Sequence, residues 1–166
     1  MAFDKLYVNG ELYRQDVDHP STDEILNISK EEKFEMQNIF LHTGNTISEL
    51  GSSFTATAST VENVRDVRQM YKKILMQPSC ASAAHNILAY RYGDSTNNRE
   101  NIQEGFIDDG EHGAGAAVLR CLKLNNIQNT AVVVTRIWSG NKIGPRRFKL
   151  IEDATKSVLS KMAGAI

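Results

Sequence analysis

The run Ala131-Val-Val-Val-Thr135 constrains the fold more than any other stretch of the chain. Three consecutive valines, each branched at Cβ, lose rotamer freedom in a helix and pack well on a pleated surface. Extended to Thr130 and Ile137, the run predicts a buried strand, and such a strand needs a helical layer against it. Three segments offer one. Val61, Val64, Val67, Met70, Tyr71, Ile74 and Leu75 recur at the helical period, with Ser59 and Glu62 spaced as a capping box and Pro78 closing the segment. Residues 113–126 place Val118, Cys121 and Leu122 on one face. Gly144-Pro145 opens a last helix, with proline where its missing N–H does no harm, and Phe148, Ile151, Thr155, Val158 and Met162 turn inward.

Further strands are expected at 39–42 and 53–58, around a Gly/Asn turn, and at 86–92, with a polar loop over 93–104. Ahead of them Leu6-Tyr-Val-Asn9-Gly10-Glu-Leu-Tyr13 reads as a hairpin about a type I′ Asn-Gly turn. Residues 15–28 have a linker composition, and Ser29 with Glu32 caps a short helix running to about Met36. The expected organisation is a hairpin and linker over 1–37 and a compact domain over 38–166. Its expected fold class is α/β, a two-layer sandwich with helices on one face of a mixed sheet.

The 166 residues carry a net charge of −1, which argues against wholesale binding to a nucleic-acid backbone. The balance is uneven, however. Residues 1–50 hold ten acids and four bases, whereas 136–166 hold seven bases and two acids. A local basic face is therefore expected despite the bland total. No window approaches the ~18 consecutive apolar residues of a membrane span. The N-terminus lacks the pattern of a secretory signal. Cys80 and Cys121 stand far apart and are read as reduced and buried, so a cytoplasmic protein is expected.

Two charged turns flank the central part of the chain. Asp108, Asp109 and Glu111, with His112 beside them, could hold a divalent metal or supply a base. Acids before a helix are also ordinary turn and cap chemistry, and that reading is the stronger. Gly113 and Gly115 follow, small enough to let another backbone or a ligand come close. The basic turn runs from Arg136 through Trp138 and Lys142 to Arg146 and Arg147, where Gly140 to Gly144 enters a helix. It either receives an anion or pairs with the acidic turn inside the molecule, and the residues leave both open. Trp138 could anchor a partner, although a lone tryptophan is more often core. Cys80 and His85 could form a dyad, against the bland reading of His85 as a hydrogen-bonded residue at a strand start. Four scattered histidines and two distant cysteines give no zinc-ligand spacing.

Taken in order, His85-Asn86 with Ala89-Tyr90-Arg91, then Asp108-Asp109-Gly110-Glu111, then Arg136 through Phe148 resemble the IMPACT family, an ancient domain of bacteria and eukaryotes. The likeness runs from about His42 to Met162 and includes Gly51-Ser-Ser-Phe54. It implies a ribosomal protein S5 domain 2-like α/β sandwich. It also implies a regulatory role, because eukaryotic relatives bind the scaffold protein that activates the amino-acid-starvation kinase and so regulate translation. Bacterial relatives have been associated with nucleic acid, and no enzyme activity is established for the family. Two stretches depart from the family pattern. Trp138-Ser139-Gly140 replaces an aromatic followed by two glycines, and His112-Gly-Ala-Gly115 replaces a small polar set. The eukaryotic regulators also carry an RWD-type domain, for which the 35 residues ahead of the matching region are expected to be too short.

The expected function is a non-enzymatic regulatory binding domain in translation or stress response, with a protein partner, possessing no cofactor and no metal. Asp108, Asp109, Glu111, Arg136, Trp138, Lys142, Arg146 and Arg147 form its expected partner surface. One alternative is RNA binding through 136–149. The other is a metal-dependent enzyme using Asp108, Asp109 and Glu111.

Overall fold

In a computed structural model of the chain, residues 17–93 and 101–164 are described in full, and 4–8 and 11–15 by their backbone. The valine run lies in β8 (Thr130–Ile137), between β5 (Ser52–Thr60) and β6 (His85–Tyr92). β3 (His42–Thr43) and β4 (Ile47–Glu49) pair with β5 on one side, and β7 (Gln103–Ile107) pairs with β6 on the other. The order is β3-β5-β8-β6-β7. Every pairing is antiparallel, so the sheet is not the mixed one expected.

The α/β architecture holds, but helices cover both faces of the sheet. Val132 and Val134 join Ala56, Ala58, Ile87 and Ala89 in a core with α5 (Ala114–Leu124) and α6 (Arg146–Gly164). Ala131 and Val133 join Leu88 and Tyr90 in a second core with α3 (Val64–Leu75). Successive side chains on a strand point to opposite faces. A strand covered on both faces therefore reads as continuous apolar sequence, which explains the unbroken valines. The expected single helical layer fails for the same reason.

The α3 start also differs. Asn63 Oδ1 accepts from Asp66 N at 2.9 Å, and Asp66 Oδ2 accepts from Glu62 N at 2.9 Å. Ser59, expected as the cap, is paired with Ala131 inside the β5–β8 ladder and so cannot serve. Tyr71, on the buried face of α3, donates its hydroxyl to the Asn86 carbonyl at 2.7 Å. Pro78 does not itself terminate α3, which stops at Leu75, but begins the short α4 (Pro78–Ala81).

At the N-terminal side, β1 (Asp4–Val8) and β2 (Glu11–Gln15) form the expected hairpin, with Val8 opposite Glu11. Its turn pair, Asn9-Gly10, lies outside the described residues. Part of the expected linker is helical, because Ser21 Oγ accepts from Glu24 N and starts α1 (Thr22–Leu26). Ser29 caps α2 (Lys30–Met36) through Glu32 N, as its spacing predicted. Only His42 of the expected strand over 39–42 is in a strand, because Lys73 Nζ instead takes the Met36 and Ile39 carbonyls at 2.9 and 2.7 Å. β7 occupies the end of the stretch expected as a polar loop, and residues 94–100 of that stretch lie outside the described ones. Among the described residues no helix is long and apolar enough to cross a membrane.

Candidate functional site at the charged corner

β6 begins and β8 ends at the same corner, with His85 directly opposite Arg136. Arg136 points to the α5 side, its guanidinium 5.3 Å from the centroid of the Phe54 ring. The acidic turn then folds over this pair. Asp109 (φ 50°) and Gly110 (φ 86°) reverse the chain through the left-handed region, where glycine is unstrained and aspartate is tolerated. This reversal carries Glu111 inward.

Glu111 is 5% exposed. Arg136 Nη1 donates to both its carboxylate oxygens at 2.5 Å, and Arg147 Nε approaches Oε1 at 2.8 Å. His85 Nε2 lies 3.1 Å from Oε2, while His85 Nδ1 donates to the Asp109 carbonyl at 2.7 Å. One carboxylate thus ties together β6, β8 and the start of α6. Arg136 Nε is buried without a hydrogen-bond partner among the described residues, so Glu111 carries much of that residue's compensation.

The other two acids are also used internally. Asp108 caps α5 by accepting from Gly115 N at 2.7 Å and Gly113 N at 3.2 Å. Asp109 accepts from Asn86 N at 2.6 Å and faces His19 Nε2 at 3.2 Å. Among the described residues, no group of three or more His, Cys, Asp or Glu side chains is placed to hold a metal.

The basic turn divides. Arg147 turns inward to Glu111, which settles its side of the open question in favour of internal pairing. Arg146 pairs instead with Glu49 of β4, at 2.7 Å, on an exposed rim. Lys149 reaches Asp153, one helical turn on. Lys142 is exposed and has no ion pair among the described residues. Trp138 is 53% exposed, contrary to the core position favoured for a lone tryptophan. The reason is local: β8 has passed its last covered residue, and Trp138 Nε1 donates to Asn141 O within the turn.

Sequence reasoning missed the neighbours of Trp138. Ser139 Oγ and Asn141 Nδ2 both donate to the Leu50 carbonyl, at 2.8 and 2.9 Å, pinning the basic turn to the β4–β5 turn. Exposed Leu50 therefore shares a rim with Trp138, Arg146 reaches the same turn through Glu49, and exposed Ile137 and Lys142 adjoin Trp138 and Asn141 in the chain. The bonding residues lie some ninety positions apart, so no local spacing announces the rim.

The cysteines are packing residues. Cys80 Sγ lies 3.6 Å from both Thr135 Oγ1 and Gln77 Oε1, while the His85 nitrogens face Asp109 and Glu111, so no dyad forms. Burial raises the Cys121 thiol above its usual range and keeps it protonated.

His19 gives this corner a pH dependence. Its hydrogen bond to Asp109 raises its pKa above the ordinary 6.5, against the opposing effect of partial burial. A base raised on folding contributes fully below its unfolded value, and that contribution is lost as pH rises through the folded value. Stability is expected to fall as pH rises from about 6.5. His19→Gln should flatten that fall in urea unfolding compared at about pH 6 and about pH 8.

Comparison with known proteins finds relatives of the chain. The Impact N-terminal domain family matches residues 50–159. The chain is 35% identical over 116 residues to Protein IMPACT-B of Xenopus tropicalis and to Protein IMPACT of Danio rerio, covering 70% of the chain and 36% of each relative. It is 30% identical over 126 residues to the Protein IMPACT homolog of Caenorhabditis elegans, covering 76% and 49%. The chain thus spans between about a third and a half of the length of these relatives. Two solved structures share the fold. A hypothetical protein has a TM-score of 0.63 at 20% identity, over 73% of this chain and 57% of that one. The two-domain translational regulator Yih1 has a TM-score of 0.53 at 24% identity, over 89% and 54%.

Proposed function

The chain belongs to the Impact N-terminal domain family, and from that premise we propose that it is a non-enzymatic binding domain in translation control, acting through a protein partner. The observation that carries the reading is the exposed rim of Trp138, Leu50 and Ile137, with exposed Lys142 following Asn141 in the chain and without an ion pair among the described residues. Large apolar side chains beside an unpaired cation suit an acidic, apolar segment of a protein. The partner surface is accordingly narrower than the eight residues expected from sequence. Trp138, Lys142 and Arg146 remain on it, and Leu50 and Ile137 join them. Asp108, Asp109, Glu111, Arg136 and Arg147 hold the rim in place from beneath. The family resemblance suggests a translation-control scaffold as the partner class.

RNA binding has less support, because Arg136, Arg146, Arg147 and Lys149 all have carboxylate partners. The metal-enzyme alternative loses its three acids to a helix cap, a strand start and a buried ion pair.

Trp138→Ala combined with Lys142→Glu is expected to weaken capture of scaffold-class translation factors at least about ten-fold, since aromatic anchors dominate such interfaces. Folding stability should stay within about 0.5 kcal/mol, as both residues are exposed. Unchanged capture would remove the rim from the proposal. Capture of single-stranded RNA that weakens linearly in log salt would favour the nucleic-acid alternative.

A further inference from the structure

We propose that a cavity beside the start of α3 receives an arginine side chain presented by a polypeptide, at a second binding site independent of the charged corner. The cavity has a volume of about 350 Å³ and is lined in part by Asn38, Phe40, His42, Ser59 and Asp66. That volume lies at the small end of ligand sites, which run from roughly 300 to 1,000 Å³. It suits one side chain better than a large cofactor.

The cavity has an unmet polar group in its wall. Phe54, Ala56 and Ala58 of β5 face α5 and α6, so the alternate residue Ser59 faces the other side of the sheet. Ser59 is 2% exposed, and its hydroxyl has no hydrogen-bond partner among the described residues. A buried hydroxyl is unfavourable unless something pairs with it. An occupant bearing N–H groups would do so once the Ser59 side chain turns its hydroxyl toward the cavity.

The charge of the wall selects the sign of the occupant. Asp66 is a lining carboxylate, and among the described residues no lysine or arginine lines the cavity. Its Oδ2 is held by Glu62 N at 2.9 Å, which orients the carboxylate and leaves Oδ1 for another donor. The chain's own nearby cations are engaged elsewhere. Arg65 pairs with Glu35, and Lys73 donates to the Met36 and Ile39 carbonyls. An anion would meet Asp66, whereas a cation would be drawn to it.

The aromatic wall selects the shape. The exposed Phe40 ring meets the His42 ring edge-on, with centroids 4.7 Å apart. A planar guanidinium can lie on such a ring and still fork its N–H groups to a carboxylate and a hydroxyl. An ammonium offers only a point charge, so arginine is favoured over lysine.

Nitrogen-15 NMR titration of the full chain with N-acetyl-arginine-methylamide tests the proposal. Shifts are expected at the amides of Phe40, His42, Ser59, Thr60 and Asp66. The neutral isostere N-acetyl-citrulline-methylamide should bind roughly ten-fold more weakly, equivalent to losing one charge-assisted contact. Asp66→Asn keeps an acceptor for Glu62 N, so it should fold and still bind arginine roughly ten-fold more weakly. Ser59→Ala should fold and also weaken binding. Absence of shifts at these residues, or equal binding of citrulline, would overturn the proposal. Tighter binding of free arginine than of the blocked form would overturn the polypeptide source. Trp138→Ala should leave the titration unchanged, which separates this site from the rim.

Discussion

Replacing Glu111 with glutamine is expected to cost about 3–5 kcal/mol of folding stability, because it leaves buried guanidinium charge uncompensated. Arg136 is the buried partner and Arg147 the half-buried one, and each reaches the Glu111 carboxylate. Glutamine would retain a carbonyl oxygen for one arginine. It would also turn an amide N–H₂ toward the other arginine, donor against donor. Urea unfolding should report the loss, and the melting temperature should drop about 2–4 °C for each kcal/mol in a chain of this size. Glu49→Gln supplies the contrast. It breaks the pair with Arg146, whose side chain is 63% exposed, and such pairs contribute about 0–1 kcal/mol. Equal small losses at the two positions would mean that water reaches Glu111.

That difference explains why the charged turns were only half legible in the sequence. Composition marked Asp108, Asp109, Glu111, Arg136 and Arg147 as a cluster, and the structure does bring them together. Which residues face inward depends on pairings between positions far apart, such as Glu111 with Arg136 and Glu49 with Arg146. No local period encodes those pairings. The left-handed turn at Asp109 and Gly110 decides the direction of Glu111, and the Asp-Gly pair signalled the turn without signalling its outcome. His85 stood just ahead of the strand expected at 86–92, which in fact begins with it. Its position opposite Arg136 follows from the ladder register, which single-strand reading does not supply.

The fold shows the same division. β8 was read at its correct bounds because three valines in a row leave few alternatives. β7 was missed because Gln103-Glu104-Gly105 looks like loop, and its pairing is supplied by β6, with Arg91 opposite Glu104. An edge strand has one neighbour and tolerates polar residues, so its sequence signal is weak. The α3 cap was displaced from Ser59 to Asn63 because two capping patterns overlap there. Pairing of Ser59 with β8 excludes the first. α1 was hidden by Pro20 and by its five-residue length, too short for a helical period to register.

Gly115→Ala is expected to destabilise the fold by about 3 kcal/mol, the upper end of ordinary overpacking, although alanine is the better helix former. In an exposed helix that exchange would gain about 1 kcal/mol. Here an added Cβ would lie 2.4 Å from Phe106 Cδ2, 2.9 Å from Phe106 Cβ and 2.8 Å from Asp108 Oδ1. Phe106 cannot withdraw easily, since it is buried and its backbone is paired with Ala89 in the β6–β7 ladder. Asp108 cannot withdraw without releasing the Gly115 N–H that it caps, and losing such a cap costs about 0.5–2 kcal/mol by itself. The small residue at 115 therefore admits the chain's own phenylalanine and aspartate, where sequence reading allowed for a ligand or another backbone. Gly164→Ala, near the end of α6 with nothing within 4 Å of the added carbon, should be neutral or slightly stabilising. Thermal unfolding of the two variants should give opposite signs. A stabilised Gly115→Ala would mean that α5 stands further from β7 than this packing requires, and that the acidic turn is held by something other than its cap.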